Sequence, residues 1–238
     1  MNLRADGMNL EVHQRWQICL WVVVCLFVFT EMRGQTDPSR FEADIVAFEE
    51  RDQEAFPAKG GALFVGSSSI RKWTTLEADF AGYPVVNRGF GGAQFSDVMY
   101  FFDRVVLVYE PRVIFIYAGS HDLRRSDGGP KAVLEKFIEF ESRVHAVLPN
   151  CLVCFISMKP SIQKWDTIGL DREANRLVRN YTDSTTGTAY VDIWTPMIEE
   201  GEPPPEHFFL PDLNHPSEEG YRVWAEAIRP VLEEVFCR

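Results

Sequence analysis

Short apolar runs alternate with longer amphipathic stretches along most of the chain. The apolar runs are typical of buried strands and comprise Ala62–Val65, Pro84–Val86, Val113–Tyr117, Leu152–Ile156 and Ala189–Ile193. The amphipathic stretches are typical of helices and comprise Phe41–Gln53, Ser96–Val108, Pro130–Leu148, Asp171–Thr182 and Pro216–Val235. Strands that alternate with helices in this way predict an α/β fold, in which helices cover both faces of a parallel sheet.

The N-terminus has a different pattern, an unbroken apolar run from Ile18 to Phe29. Its length suits the apolar region of a signal peptide, about 7 to 15 residues, better than a spanning helix of about 20 residues. No small-residue cleavage site follows within residues 30–35, so an uncleaved anchor stays open. A buried core helix is disfavoured because the run lacks a polar face. We expect residues 1–35 to be a signal peptide or an N-terminal transmembrane anchor, which would attach the protein through residues 16–32.

Either form of this segment predicts a secreted, periplasmic or otherwise extracytoplasmic protein. The remaining residues, 36–238, suit one domain, since a single domain typically holds about 100 to 200 residues. The formal net charge of the chain is −11, and no block of lysine and arginine interrupts the acidic composition. Because nucleic-acid binding needs a basic surface, we expect no nucleic-acid partner. The oligomeric state stays open.

The cysteines give a motif with two interpretations. Cys151 and Cys154 have the spacing of redox and metal-binding CxxC motifs, but they lie in the apolar run of a predicted strand. Residues three apart in a strand point to opposite faces, so the two thiols are predicted to be separate buried side chains. A disulfide between Cys237 and either of them stays open.

Polar and glycine-rich segments follow the predicted strands directly. They are Gly66–Ser69, Asn87–Gly92, Gly119–Asp122 and Met158–Ser161, and a similar segment, Asp212–His215, precedes the last predicted helix. In an open parallel sheet, ligands bind outside the carboxyl ends of the strands. We therefore expect these segments to form the functional site.

These segments contain the groups that acyl transfer requires, namely a nucleophile, a base, a residue that orients the base, and oxyanion donors. Ser68 follows the first strand in a tight turn, and His215 precedes a helix that Pro216 can start. Asp212 can hold the Nδ1–H of His215 and leave Nε2 free to take the serine proton. The N–H groups of Ser68 and Gly92 are candidate oxyanion donors, since a glycine turn leaves the N–H unobstructed. Each feature alone is more often structural, and their joint occurrence favours catalysis.

From about residue 60 to the C-terminus, the chain resembles the SGNH hydrolases, also called the GDSL esterase/lipase family. Phe64–Arg71 (FVGSSSIR) is similar to the first sequence block, in the variant where serine replaces the aspartate of Gly-Asp-Ser. Val86–Gly92 (VNRGFGG) is similar to the second block, and Asp212–Pro216 (DLNHP) is similar to the fifth.

The resemblance implies a three-layer α/β/α sandwich with a parallel, flavodoxin-like sheet. It also implies a serine ester hydrolase in which Ser68, Asp212 and His215 are catalytic and Ser68 and Gly92 donate to the oxyanion. No cofactor and no metal is expected. The chain has no long apolar insertion of the kind that forms a lipase lid, which favours short acyl groups such as acetate. A small-molecule or carbohydrate ester is the expected substrate.

The third block departs from the family's Gly-x-Asn-Asp pattern, because His121 occupies the position of the asparagine. In the family, that asparagine supplies a further oxyanion donor. An imidazole N–H can also donate, so His121 is expected to complete the oxyanion hole and to make activity pH-dependent. Loss of one oxyanion donor typically costs about 10²–10³ in rate. The substitution therefore leaves a second hypothesis open, a catalytically impaired binding protein with the same fold.

The same segments allow two further hypotheses, both of which the sequence disfavours. A metal-dependent hydrolase would use His121, Asp122, Asp212 and His215 as ligands, but it would leave the serine and glycine segments unexplained. A nucleotide-binding domain is disfavoured because no G-x-G-x-x-G motif follows the first strand. Asn87 and Asp122 are expected to brace the loops.

Overall fold

The computed structural model describes residues 37–125 and 128–237. The predicted signal peptide or anchor over residues 1–35 lies outside this part of the chain and stays a prediction. Among the described residues, none of the helices combines the length and apolar character needed to cross a bilayer.

The centre of the fold is a sheet of five parallel strands. The strands are β1 (Ala62–Gly66), β2 (Val85–Gly89), β3 (Val113–Tyr117), β4 (Leu152–Ile156) and β5 (Thr188–Val191). Their order is β2-β1-β3-β4-β5, and each neighbouring pair is parallel. This is the flavodoxin-like order, in which the winding direction of the chain changes between β1 and β3. The α/β fold with a parallel sheet is confirmed.

Helices surround the sheet. They are α1 (Glu42–Glu54), α2 (Ser68–Arg71), α3 (Leu76–Asp79), α4 (Phe95–Tyr100), α5 (Phe102–Val105), α6 (Ser120–Arg125), α7 (Gly129–Val147), α8 (Ile168–Thr182), α9 (Trp194–Met197) and α10 (Glu218–Phe236). Four short 3₁₀ segments occur at Pro38–Phe41, Leu107–Tyr109, Ile162–Thr167 and Glu206–Phe208.

Two apolar clusters lie on opposite faces of the sheet, because successive strand side chains point to opposite sides. Leu63 and Val65 of β1 pack in the cluster that contains the buried faces of α1, α4, α7 and α8. Phe64 packs in the other cluster, with Trp73 and the buried face of α10. The sheet with helices packed on both faces forms the three layers that the family resemblance implies.

The cysteines follow the same alternation. Cys151 lies in the cluster with α7 and α8, whereas Cys154 lies in the cluster with α10. Both are buried free thiols, as predicted, and burial raises the pKa of Cys151 to about 12. Cys237 is an exposed free thiol, so the possible disulfide is not formed in the described part of the chain.

Several predicted elements have different bounds in the structure, and two of these differences have a clear physical cause. The stretch predicted as one helix over Ser96–Val108 is divided into α4, α5 and a 3₁₀ turn. Phe101 and Phe102 are both buried there. On a regular helix these consecutive side chains would point about 100° apart, and the break between α4 and α5 lets both enter the core. The last helix begins at Glu218 rather than Pro216, because Ser217 caps it by accepting the Gly220 N–H at 3.2 Å.

Candidate active site

A tight turn carries Ser68 from the end of β1 into α2. Gly66 has a φ of 128°, and a Cβ at this position would lie 2.2 Å from the Tyr117 carbonyl oxygen, so only glycine fits. The Ser67 N–H donates to that same oxygen at 2.9 Å, which fixes the turn against β3. Ser67 and Ser69 are buried, while Ser68 is half-buried. The turn therefore presents the hydroxyl of Ser68 in preference to those of its two neighbours.

The structure brings Ser68 and His215 together from positions 147 residues apart. Ser68 Oγ lies 2.8 Å from His215 Nε2, and His215 Nδ1 lies 2.6 Å from Asp212 Oδ2. The other carboxylate oxygen, Asp212 Oδ1, accepts the backbone N–H groups of Asn214 at 2.9 Å and His215 at 2.8 Å. Leu213 has a left-handed φ of 53°, which closes the loop tightly enough for these contacts. The three side chains form a continuous hydrogen-bonded chain.

The surroundings of Asp212 and His215 determine the protonation states of these two side chains. Burial would raise the pKa of Asp212, but hydrogen bonds from His215 and from backbone N–H groups outweigh it and lower the pKa to about 2. Burial lowers the pKa of His215 below its usual 6.5; the Asp212 contact opposes this effect, and Lys159 and Lys72 add to it. At neutral pH the site therefore holds an ionised Asp212 beside a neutral imidazole, which is the state of a general base.

Gly92 and His121 lie close to each other in the loops that follow β2 and β3. Gly92 has a φ of 77°, and a Cβ on it would lie 3.8 Å from His121 Nε2. Gly92 follows β2, His121 follows β3 and Ser68 follows β1, so the three surround the point where the chain changes direction. The structure thus places the imidazole of His121 against the glycine turn, where the predicted oxyanion donors are expected.

Two polar side chains hold these loops in place, as predicted. Both carboxylate oxygens of the buried Asp122 accept the Phe95 N–H, at 3.2 and 3.4 Å, which joins α6 to the start of α4. Burial raises the pKa of Asp122 to about 6. Asn87 donates to the Ile70 carbonyl at 2.7 Å and accepts the Gly89 N–H at 3.0 Å, which joins α2 to β2.

Three of the four residues of the metal-hydrolase hypothesis, Asp122, Asp212 and His215, are engaged in contacts of another kind. Asp122 accepts the Phe95 N–H, and His215 is held between Ser68 and Asp212. Across residues 37–125 and 128–237, no three or more His, Cys, Asp or Glu side chains are grouped so as to hold a metal ion. The geometry of these side chains favours the acyl-transfer interpretation.

The segment after β4 contributes two residues for which the sequence analysis predicts no individual role. Lys159 is 5% exposed, and its Nζ donates to Ser69 Oγ at 3.1 Å and to the Tyr117 hydroxyl at 3.0 Å. Ser161 Oγ donates to Asn214 Oδ1 at 2.9 Å, which supports the loop that carries His215. The only signal for these residues in the sequence is their position directly after a strand.

A cavity of about 390 Å³ lies beside the site along the edge strand β2. Its walls include five charged side chains: Asp44, Arg51, Arg71, Glu77 and Arg88. Arg71 connects the cavity to the site, because a Cβ on Gly91 would lie 2.8 Å from its guanidinium. None of the triad residues lines this cavity.

The family model described as GDSL-like Lipase/Acylhydrolase matches residues 60–223, more than half of the chain. The protein belongs to this family.

Solved structures agree with the family assignment at the level of fold. A Streptococcus pneumoniae protein provisionally described as a platelet activating factor is 15% identical, with a TM-score of 0.68 over 96% of this chain and 100% of that chain. A GDSL-like lipase from Bacteroides thetaiotaomicron is 18% identical, with a TM-score of 0.61 over 83% of this chain and 98% of that chain.

An acetylxylan esterase from Geobacillus stearothermophilus is 17% identical, with a TM-score of 0.57 over 74% of this chain and 95% of that chain. At such identities, these similarities establish a shared fold and leave the substrate open. A comparison with curated proteins finds no match.

Proposed function

We propose that this protein is a serine esterase that hydrolyses short-acyl, acetyl-type carboxylic esters through an acyl-enzyme intermediate on Ser68. The observation that carries the proposal is the contact of 2.8 Å between Ser68 Oγ and His215 Nε2, continued at 2.6 Å to Asp212. A serine hydroxyl is a weak nucleophile unless an adjacent base removes its proton. The neutral state of His215 and the ionised state of Asp212 support that role.

In the first half-reaction, Ser68 Oγ attacks the ester carbonyl while His215 Nε2 takes the serine proton. The carbonyl oxygen becomes an oxyanion, which the N–H groups of Ser68 and Gly92 and an imidazole N–H of His121 stabilise. The intermediate expels the alcohol, to which His215 returns the proton. In the second half-reaction, His215 deprotonates a water molecule that attacks the acyl group, and it returns the proton to Ser68 Oγ as the carboxylic acid leaves.

Charged walls near the site favour a polar alcohol group, and the lack of a long apolar insertion in the sequence favours a short acyl group. The neighbouring cavity has charged walls, including Arg71 and Glu77, which suit hydroxyl-rich groups better than a long hydrocarbon chain. One structure of similar fold is an acetylxylan esterase, so acetylated carbohydrates are the first natural substrates to screen.

The experiment compares p-nitrophenyl acetate hydrolysis by the native chain, Ser68→Ala and Ser184→Ala, in which an exposed serine distant from the site is replaced. The native chain and Ser184→Ala should be equally active, and Ser68→Ala should lose about 10³-fold or more. Activity retained by Ser68→Ala would show that the nucleophile assignment is wrong. If folded native protein hydrolyses no ester in a panel of acyl lengths, the impaired binding protein becomes the better hypothesis, for which His121 is the specific support.

A further inference from the structure

Lys159 is a buried cation directly behind the nucleophile turn. Its Nζ donates to Ser69 Oγ at 3.1 Å and to the Tyr117 hydroxyl at 3.0 Å, and both acceptors are uncharged. It forms no ion pair with a carboxylate of the described residues. A buried charge is costly unless an opposite charge compensates it, so a lysine at this position needs a physical reason beyond packing.

The ammonium form persists at neutral pH despite this burial. Burial lowers the pKa of Lys159 to about 8, while the more distant carboxylates of Asp171 and Asp212 oppose the effect and Arg124 adds to it. Lys164 is a further cation in this region. Burial and the charge of Lys159 lower its pKa to about 8. Below that pH, the interior behind the triad therefore carries positive charge.

The ammonium group of Lys159 is linked to the triad through neighbouring residues. Ser69, the acceptor of Lys159, directly follows Ser68, and its carbonyl accepts the Tyr221 hydroxyl at 2.7 Å. The charged groups with the largest influence on the pKa of His215 are Asp212 in its own loop, Lys159 after β4 and Lys72 after α2. Asp212 favours protonation of the imidazole, and the two lysines disfavour it.

We propose that Lys159 is a positioning residue whose buried charge keeps His215 in its unprotonated form under mildly acidic conditions, while its hydrogen bond to Ser69 holds the nucleophile turn. This inference rests on the proposed esterase function. A positive charge near an imidazole makes addition of a proton less favourable. Replacing Lys159 with an uncharged residue therefore raises the pKa of His215, and the base becomes protonated at higher pH. The effect is confined to pH values below about 8, where Lys159 is charged.

The experiment measures kcat/KM against pH for the native chain and Lys159→Met, which keeps the length of the side chain and removes its charge. Two matched controls are Ser69→Ala, which removes the acceptor and keeps the lysine, and Lys131→Met, which removes an exposed lysine at the start of α7. The midpoint of the acid limb should move to higher pH in Lys159→Met alone. At a pH below the midpoint of the native enzyme, kcat/KM of Lys159→Met is divided by its own plateau value. This ratio should be lower than the same ratio for the native enzyme by about threefold or more.

Folded Lys159→Met with the native midpoint would overturn the inference, and so would an equal shift in Ser69→Ala, because that result indicates a structural role only.

An NMR titration of the His215 ring compares the pKa of His215 in the same variants without a need for turnover. The ring signal is assigned by its loss in His215→Gln. If the native chain hydrolyses no ester, the proposed function fails while the titration still tests Lys159. If Lys159→Met does not fold, the His215 signal of Lys164→Met, which lacks the other lysine of similar pKa, should show a second inflection near pH 8 as Lys159 loses its proton. Absence of that inflection would refute the inference.

Discussion

Asp212 holds His215 at two points, through Oδ2 to the ring Nδ1 at 2.6 Å and through Oδ1 to the backbone N–H at 2.8 Å. The backbone contact fixes the loop, and the ring contact fixes the imidazole with Nε2 directed at Ser68. Orientation and tautomer of the base are thus set by one carboxylate.

The Asp212→Asn variant separates these two contacts. Its amide oxygen can still accept the backbone N–H groups, but its NH₂ group faces Nδ1 and favours the tautomer with the proton on Nε2. We expect kcat/KM to fall by about 10²–10⁴ with the fold retained. The measurement is kcat/KM together with the thermal unfolding midpoint, with the exposed Asp183→Asn as control. A similar loss in both variants would contradict the tautomer argument.

The role of His121 is tested by comparing asparagine and alanine at this position. His121→Asn restores the family's donor and should preserve or raise kcat. His121→Ala removes the donor next to Gly92 and should lower kcat by about 10²–10³, with a smaller change in KM. Steady-state kinetics at one pH near neutrality measures both. A sharp fall in His121→Asn would show that the imidazole has a role that an amide cannot supply.

The pH profile follows from the lowered pKa of His215. The active form is the neutral imidazole, so activity is retained below pH 6.5 and is lost as the pH falls through the folded-state pKa. The acid limb of kcat/KM should therefore have its midpoint below 6.5, measured at constant ionic strength. A midpoint above 6.5 would be inconsistent with burial and the nearby lysines as the dominant influences.

Asp122 should contribute to stability as well as to loop position. Asp122→Ala leaves the buried Phe95 N–H without this acceptor, which should cost about 1–3 kcal/mol in urea unfolding. Because the folded-state pKa of Asp122 is raised to about 6, the folded protein binds this proton more tightly than the unfolded chain does. The stability advantage of the native protein over Asp122→Ala should therefore grow as the pH falls from about 7 to about 5. An advantage that shrinks over this range would contradict the raised pKa.

The sequence predicts the sheet well, and it predicts that the candidate site residues meet at one edge, because both depend on local pattern and chain order. Apolar strands define the sheet, and carboxyl ends of parallel strands meet at one edge, so Ser68, Gly92 and His121 are placed by position alone. The positions of β3 and β4 agree with the predicted runs residue for residue.

Features that depend on long-range packing are not visible in the sequence. Lys159 has the sequence context of an ordinary loop lysine, since its acceptors Ser69 and Tyr117 lie 90 and 42 residues away. β2 extends through polar residues to Gly89 because the buried Arg88 is neutralised by Asp52 of α1, a pairing that hydropathy does not indicate.

The most direct test of the central claim is to treat the native chain with a fluorophosphonate, which forms a stable adduct with an activated serine, and to locate the adduct by peptide mass spectrometry. The proposed mechanism predicts one adduct per chain on Ser68, none in Ser68→Ala and slower labelling in Asp212→Asn. Labelling of Ser67 or Ser69 instead, or ester hydrolysis without any adduct on Ser68, would contradict the assignment of Ser68 as the nucleophile.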